Sequence, residues 1–277
     1  PESWRSLSFG AGTAAGSFGQ FLFSPLSVSL QDAYGWQSAL LIFAGLTLLV
    51  LPLSLALATP RAGAASLLAI GAEPRSSRAA LGEAVAHRSF IYLVLGFFTC
   101  GFQLAFITVH MPAYLIDRGL SAQVGGWTIA VIGLFNIIGS LGSGWLGNRM
   151  PKRYILAVIY LIRALAVLAF IAFPVTPASA LAFGAVIGLM WLSTVPPTNG
   201  LVVVMFGTKW LAMLSGVAFF SHQVGGFLGV WIGGIAFERT GSYDVVWWLS
   251  ILFGVLSALI NLPIVEKPVT RLAVARA

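Results

Sequence analysis

The sequence predicts an all-α membrane protein, and three observations carry that prediction. First, the chain is 58% hydrophobic and only 8% charged, against roughly 25% charged residues in a soluble domain. No water-facing surface can be built from this inventory. Second, runs of about 20 mostly apolar residues, the length that crosses a bilayer, recur along the whole chain. Third, the basic residues fall almost entirely on one side of those runs. The net charge of +7 is therefore a topology signal and calls for no nucleic-acid partner.

Eight apolar runs qualify as spans: 10–30, 37–58, 90–115, 124–146, 154–173, 179–205, 211–237 and 245–265. Residues 1–58 hold the first two. The stretch 59–89 is a polar linker bearing Arg61, Glu73, Arg75, Arg78, Glu83, His87 and Arg88 among Ala, Gly and Ser. Residues 90–265 hold the other six spans, and 266–277 form a tail. Short connectors such as "DAYGW", "DRGLS", "PVTPAS" and "ERTGSYD" read as turns. The first span carries glycines at 12, 16 and 19 and the seventh at 225, 229 and 233. Each is followed by a turn and a Trp-bearing helix, an echo that reads as parallel repeats of helices packed through small residues. "VPPTN" at 195–199 puts two prolines inside the sixth span, where each removes a backbone donor and crowds the preceding turn.

Let both ends of the chain and the 59–89 linker share one side. Of the 15 basic residues, only Arg118 and Arg239 then fall opposite, and Arg163 lies within a span. That asymmetry makes the first side cytoplasmic. The protein is expected in the cell membrane as a multi-pass protein with both ends of this chain inside. Tyr34, Trp36, Tyr114, Trp127, Tyr243, Trp247 and Trp248 near the outer ends, and Trp4, Tyr92, Trp145, Tyr154 and Trp210 near the inner ends, supply the aromatic belts.

The loop after the fourth span, "GWLGNRMPKR" at 144–153, resembles the loop signature of the major facilitator superfamily. Gly144, Leu146, Gly147, Arg149, Lys152 and Arg153 match it. Asn148 stands where the signature has an acid and Pro151 where it has glycine. The resemblance implies the superfamily fold, with spans five and six of twelve in 1–58, the central linker at 59–89 and the complete second six-helix half in 90–265. It implies that helices one to four of the same protein are missing from this chain, and that the basic loop takes part in gating. "GFQLAFITVHMPAYLIDRGL", "WLSTVPPTNGL" and "FFSHQVGGFLGVWIGG" resemble the monocarboxylate and oxalate–formate branch. That branch's Asp and Arg pair in the eighth of its twelve helices, the fourth apolar run here, falls on Asn136 and Ser140, so its usual carboxylate-binding arginine is absent from its usual place.

Counting about 1.5 Å per residue from each end puts Gln103, Asn136, Arg163, His222 and Gln223 near mid-membrane, with His110 two turns nearer the outside. Thr198 and Asn199 follow the prolines and are expected beside a cavity, where unwound backbone is tolerated. All eight acids lie outside the apolar cores, so Arg163 has no intramembrane carboxylate in this chain. Its burial costs at least about 2.5–3.5 kcal/mol. A substrate anion, an acid on absent helices, or snorkelling to the interface would offset that cost. His110 and His222 titrate in the range needed to accept a coupling proton. Gln103, Asn136 and Asn199 read either as interhelical glue or as substrate ligands. The expectation is secondary transport of a small solute, an organic anion such as a monocarboxylate; a drug or sugar exporter and a non-transporting receptor are the alternatives. The chain contains no HExxH, no phosphate-binding glycine loop outside a span and no metal-spaced Cys/His cluster, so no cofactor, metal or catalytic residue is expected. The one cysteine, Cys100, forms no disulfide within the chain.

Overall fold

The computed structural model of the chain describes residues 5–56 and 76–269, and these are helical with no strand among them. The elements are α1 (Arg5–Leu48), α2 (Val50–Ala56), α3 (Ser77–Ala86), α4 (Arg88–Asp117), α5 (Ala122–Leu146), α6 (Lys152–Ala172), α7 (Pro177–Met190), α8 (Val195–Phe206), α9 (Leu211–Thr240) and α10 (Asp244–Asn261). Most of the 59–89 linker, with Arg61, Glu73 and Arg75, lies outside the described residues, as do Arg271 and Arg276 of the tail. The linker's described part is α3, whose first turn is capped by Ser76 Oγ accepting from the Ala79 amide at 3.2 Å.

Seven helices are long and apolar enough to cross a membrane among the described residues, against eight runs in the sequence reading. The difference lies in the first stretch. Leu7–Leu55 is one apolar segment of 49 residues, which as a straight rod would be about 74 Å long, more than twice the ~30 Å hydrocarbon layer. Gly35 interrupts it with φ 77° and ψ 164°, a conformation open in practice only to glycine. The limbs fold back on each other there, for the Phe23 and Phe43 rings meet edge-on at 5.9 Å. Along a continuous helix they would stand about 30 Å apart. The expected turn "DAYGW" thus contracts to one residue.

The sixth apolar run is two helices. α7 ends at Met190, and α8 starts at Val195 with prolines in its first turn. The prolines do not kink a continuous helix. They open a new one, because the first helical positions need no amide donor. The freed backbone is satisfied from neighbouring helices. Asn136 Oδ1 accepts from the Leu192 amide at 2.9 Å, Ser143 donates to the Ser193 carbonyl, and Cys100 Sγ approaches the Trp191 carbonyl at 3.8 Å.

Glycines set the helix spacing. On α4 and α9, Gly225 and Gly229 face the carbonyls of Phe98 and Phe102, and Gly101 faces the carbonyl of His222. None of these three could carry a Cβ without clashing with backbone. Gly133 of α5 takes α1 in the same way, with Phe21 N 2.7 Å from where a Cβ would lie, and Gly10 of α1 meets Ser140 O at 2.6 Å. The glycines that echo 225, 229 and 233 in the first span behave differently. Gly12 and Gly16 face nothing within 4 Å among the described residues, and Gly19 meets only Phe23 on its own helix.

A strap of chain after α10 ties three helix ends together on the linker side. Val265 N donates to Ser89 Oγ at 3.0 Å, Arg153 N to Glu266 Oε1 at 2.8 Å, and Val269 N to Met205 O at 3.1 Å. Gly225→Val is expected to destabilise the purified protein by about 1–3 kcal/mol through overpacking. Gly16→Ala is expected to leave stability unchanged or raise it by up to about 1 kcal/mol. Thermal unfolding in detergent, read side by side, checks both.

Candidate functional site

The centre of the site is Arg163. On α6 the residues Leu156, Ile159, Tyr160, Arg163, Ala164 and Val167 are buried, while Val158, Leu161, Leu165 and Leu168 are exposed on the opposite face. This is helical periodicity, and it turns the arginine inward with 1% of its surface exposed. It therefore does not snorkel to an interface. Nε, Nη1 and Nη2 all lack a hydrogen-bond partner among the described residues. The nearest recorded aromatic face is Tyr160, whose ring centre is 5.9 Å from the guanidinium carbon, at the outer limit of a cation–π contact.

Gln103 follows Cys100 by three residues and shares its face of α4. Gln103 donates Nε2 to the Ser250 carbonyl of α10 at 2.8 Å. Its Oε1 is unpaired, and so are Ser250 Oγ, Thr198 Oγ1 and His222 Nε2. Cys100 Sγ lies 3.3 Å from Thr194 Oγ1, at the break between α7 and α8. Unpaired polar atoms buried at this density cost about 1–3 kcal/mol each. Gln103 Nε2 and the α6 residues Ala164 and Tyr160, on either side of Arg163 in sequence, converge on Gly254 of α10, so Arg163 and Gln103 belong to one polar region inside an apolar bundle.

His222 of α9 stands at a cleft. Its Nδ1 is 3.1 Å from Gln223 Oε1, and its ring lies between Phe97 at 5.1 Å and Phe219 at 6.1 Å. His222 and Gln223, with Ala105, Gly226, Phe227 and Trp231, line a cleft of about 500 Å³. The remaining candidates stand apart. Asn136 has both polar atoms engaged, Nδ2 donating to Ser17 Oγ of α1 at 2.6 Å and Oδ1 accepting from Leu192 N. Asn199 Oδ1 accepts from Ser215 Oγ at 2.8 Å, joining α8 to α9. His110 Nε2 is 3.0 Å from the Val230 carbonyl, and its ring packs on Phe106 and Tyr243.

The basic loop is a separate structure. Gly144 and Gly147 are buried where α5 ends. The Arg149 guanidinium stacks 3.9 Å over Trp145. Arg153 donates Nη1 to Ile264 O at 3.2 Å and Nη2 to Tyr154 Oη at 2.9 Å. Lys152 opens α6. No group of three or more His, Cys, Asp or Glu side chains that could hold a metal occurs among the described residues.

The sequence reading missed Cys100, Tyr160 and Thr194. Helical spacing could have found two of them, since Cys100 lies three residues before Gln103 and Tyr160 three before Arg163. Thr194 could not have been found, because the bend that aims it at Cys100 depends on where α8 begins. Asn136→Leu is expected to cost about 1–3 kcal/mol by leaving Leu192 N unpaired, while Asn136→Gln recovers part of that loss. Chemical or thermal unfolding of the variants in detergent measures this.

The family model described as Major Facilitator Superfamily matches residues 1–230. The chain is 30% identical over 275 residues to the uncharacterized MFS-type transporter YcxA of Bacillus subtilis (strain 168), covering 96% of this chain and 66% of that protein. It is 27% identical over 249 residues to monocarboxylate transporter 11 of Mus musculus, covering 87% and 55%. It is 27% identical over 256 residues to monocarboxylate transporter 13 of Rattus norvegicus, covering 86% and 55%. The chain thus spans between about half and two thirds of the length of these curated relatives. A match over most of its residues, on an all-helical bundle of apolar rods, places this chain in the major facilitator superfamily.

Proposed function

We propose that this chain is the larger part of a secondary transporter that moves a small organic anion by alternating access. The observation that carries the reading is Arg163, a permanent cation 1% exposed with three unpaired nitrogens, in spans that hold no carboxylate. A buried, uncompensated guanidinium is costly. A carboxylate ligand supplies the missing charge and can pair with it in bidentate fashion. His222 and Gln223 at the cleft form the approach to it, and Gln103 orients the bound anion through its free Oε1. Asn136, Asn199 and His110 hold the surrounding helices in register and reach the solute only as the bundle rearranges. The likeness to proteins named as monocarboxylate transporters supports the class of solute, although Asn136 and Ser140 replace the Asp and Arg of that branch.

In this reading Leu7–Leu55 crosses the bilayer twice, with Gly35 at the outer face, giving eight spans, both ends of the chain and the 59–89 linker being cytoplasmic. Four further helices of the same protein complete the cavity from the other side. The cell membrane is the location, and a coupling proton travels through His222. The loop with Gly144, Gly147, Arg149, Lys152 and Arg153 acts at the cytoplasmic gate.

The test is uptake of labelled monocarboxylates into proteoliposomes holding the full-length protein. Arg163→Gln is expected to lower initial uptake at least about tenfold, equivalent to ~1.4 kcal/mol, at unchanged membrane abundance. Unchanged uptake at normal abundance would remove Arg163 from the site. Saturable binding without accumulation would make the protein a receptor.

A further inference from the structure

A second cavity lies away from His222, where α5, α6 and the end of α7 meet, and it holds about 300 Å³. Gly139 and Gly142 of α5, Val158 and Ile162 of α6 and Met190 of α7 line it. Two serines reach it, but both hydroxyl protons are spent on backbone. Ser143 donates to the Ser193 carbonyl, and Ser193 Oγ to the Leu189 carbonyl at 2.6 Å. The wall below Tyr154 therefore has no donor for a polar ligand. The groove is open sideways. Val158 is 53% exposed, and a Cβ on Gly142 would meet nothing within 4 Å among the described residues. From Tyr154 to Ile162 the groove follows α6 for about 12 Å, most of one leaflet of a ~30 Å hydrocarbon layer. Its mean cross-section is then about 25 Å², against about 80 Å² for a helix 10 Å across. A helix does not fit there; a single acyl chain does.

The linker-side end of the groove has the opposite character. It begins at Met150 and Tyr154, in a stretch that carries Arg149, Lys152 and Arg153 and no acid. Arg153 donates Nη2 to Tyr154 Oη at 2.9 Å and lies 4.6 Å over the same ring. Arg149 is exposed, adjoins Met150 and stacks on Trp145. Glu266 also reaches this mouth, accepting from the Arg153 amide at 2.8 Å. Loop and Glu266 together carry a net charge of +2, three cations less one carboxylate. Trp145 and Tyr154 mark the depth of the headgroups. A basic mouth on an apolar groove between transmembrane helices matches both parts of an acidic lipid.

We propose that this groove seats one anionic phospholipid, with an acyl chain lying between α5, α6 and α7 and its phosphate at Arg149 and Lys152. Arg153 is already held by Tyr154 and the Ile264 carbonyl, and it shapes the mouth. The inner end of the groove reaches Leu189 and Met190, beside the interruption between α7 and α8. One lipid therefore touches the basic loop and the helix break at once. The seat is independent of Arg163 and of the transported solute.

Native mass spectrometry of the full-length protein tests this, with phosphatidylglycerol and phosphatidylcholine of the same two acyl chains as probes. One phosphatidylglycerol is expected to stay on each protein, about tenfold more tightly than phosphatidylcholine, the preference that two nearby cations supply. Gly142→Leu sends a side chain into the groove without meeting a neighbour. It should remove the bound lipid while the unfolding temperature of lipid-free protein stays level or rises, since leucine favours a helix over glycine. Arg149→Gln with Lys152→Gln should erase the preference between the two lipids and leave the weaker binding that the acyl chain supplies. Glycerol phosphate, which has the charge and no chain, should fail to displace the lipid at equal concentration. Equal retention of both lipids by the unaltered protein overturns the proposal, and so does full retention by Gly142→Leu. Displacement by glycerol phosphate would make the loop an anion site without a seat for a chain. A particle of two protein copies that excludes lipid would make the groove an interface between copies. Either result also ends the proposal.

Discussion

The architecture depends on one constraint: in the middle of a bilayer every backbone amide and carbonyl needs a partner from within the protein. Among the described residues the chain meets that requirement with helices, and the widest interruption inside an apolar run lies between Met190 and Val195. There it brings in side chains. Asn136 and Ser143, both from α5, close the gap, and Asn136 at the same time holds Ser17 of α1. One carboxamide therefore fixes the helix break and the contact between the first helical hairpin and the rest of the bundle. The break in turn places Thr194 against Cys100.

Much of this was legible in the sequence, for identifiable reasons. Arg163 could be placed at mid-depth because the rise per residue is fixed, while the face it presents, inward or toward an interface, stayed open. The prolines at 196 and 197 announced irregular backbone. What they could not announce was the form it takes, two helices rather than a kinked one, because a proline is equally at home in a first turn. Asn136 was visible as a mid-membrane amide. Its role as a joint was not, since its partners lie 119 and 56 residues away. Cys100 was noted only as forming no disulfide, because a cysteine in an apolar run usually behaves as a small hydrophobe. Only the fold shows that it meets Trp191 and Thr194 at the helix break.

The two sets of spaced glycines make the same point. Similar spacing in the first and seventh spans suggested similar packing. Yet Gly225 and Gly229 are pressed against carbonyls of α4, while Gly12 and Gly16 face open space among the described residues. Spacing reports a smooth stripe on a helix and not what lies against it. α1 instead meets α5 through Gly10, Ser17 and Gly133. Those contacts depend on the relative rotation of two helices more than a hundred residues apart, which no local pattern encodes.

The strap of residues 264–269 carries a mechanical consequence. Its bonds to Ser89, Arg153 and Met205 bolt the near ends of α4, α6 and α8 into one plate. Motions that splay those ends would have to peel it off first, so a rocking of the whole plate costs less than a flexing of its parts. The hinge compliance of the molecule is thereby directed elsewhere, toward the single-residue bend at Gly35.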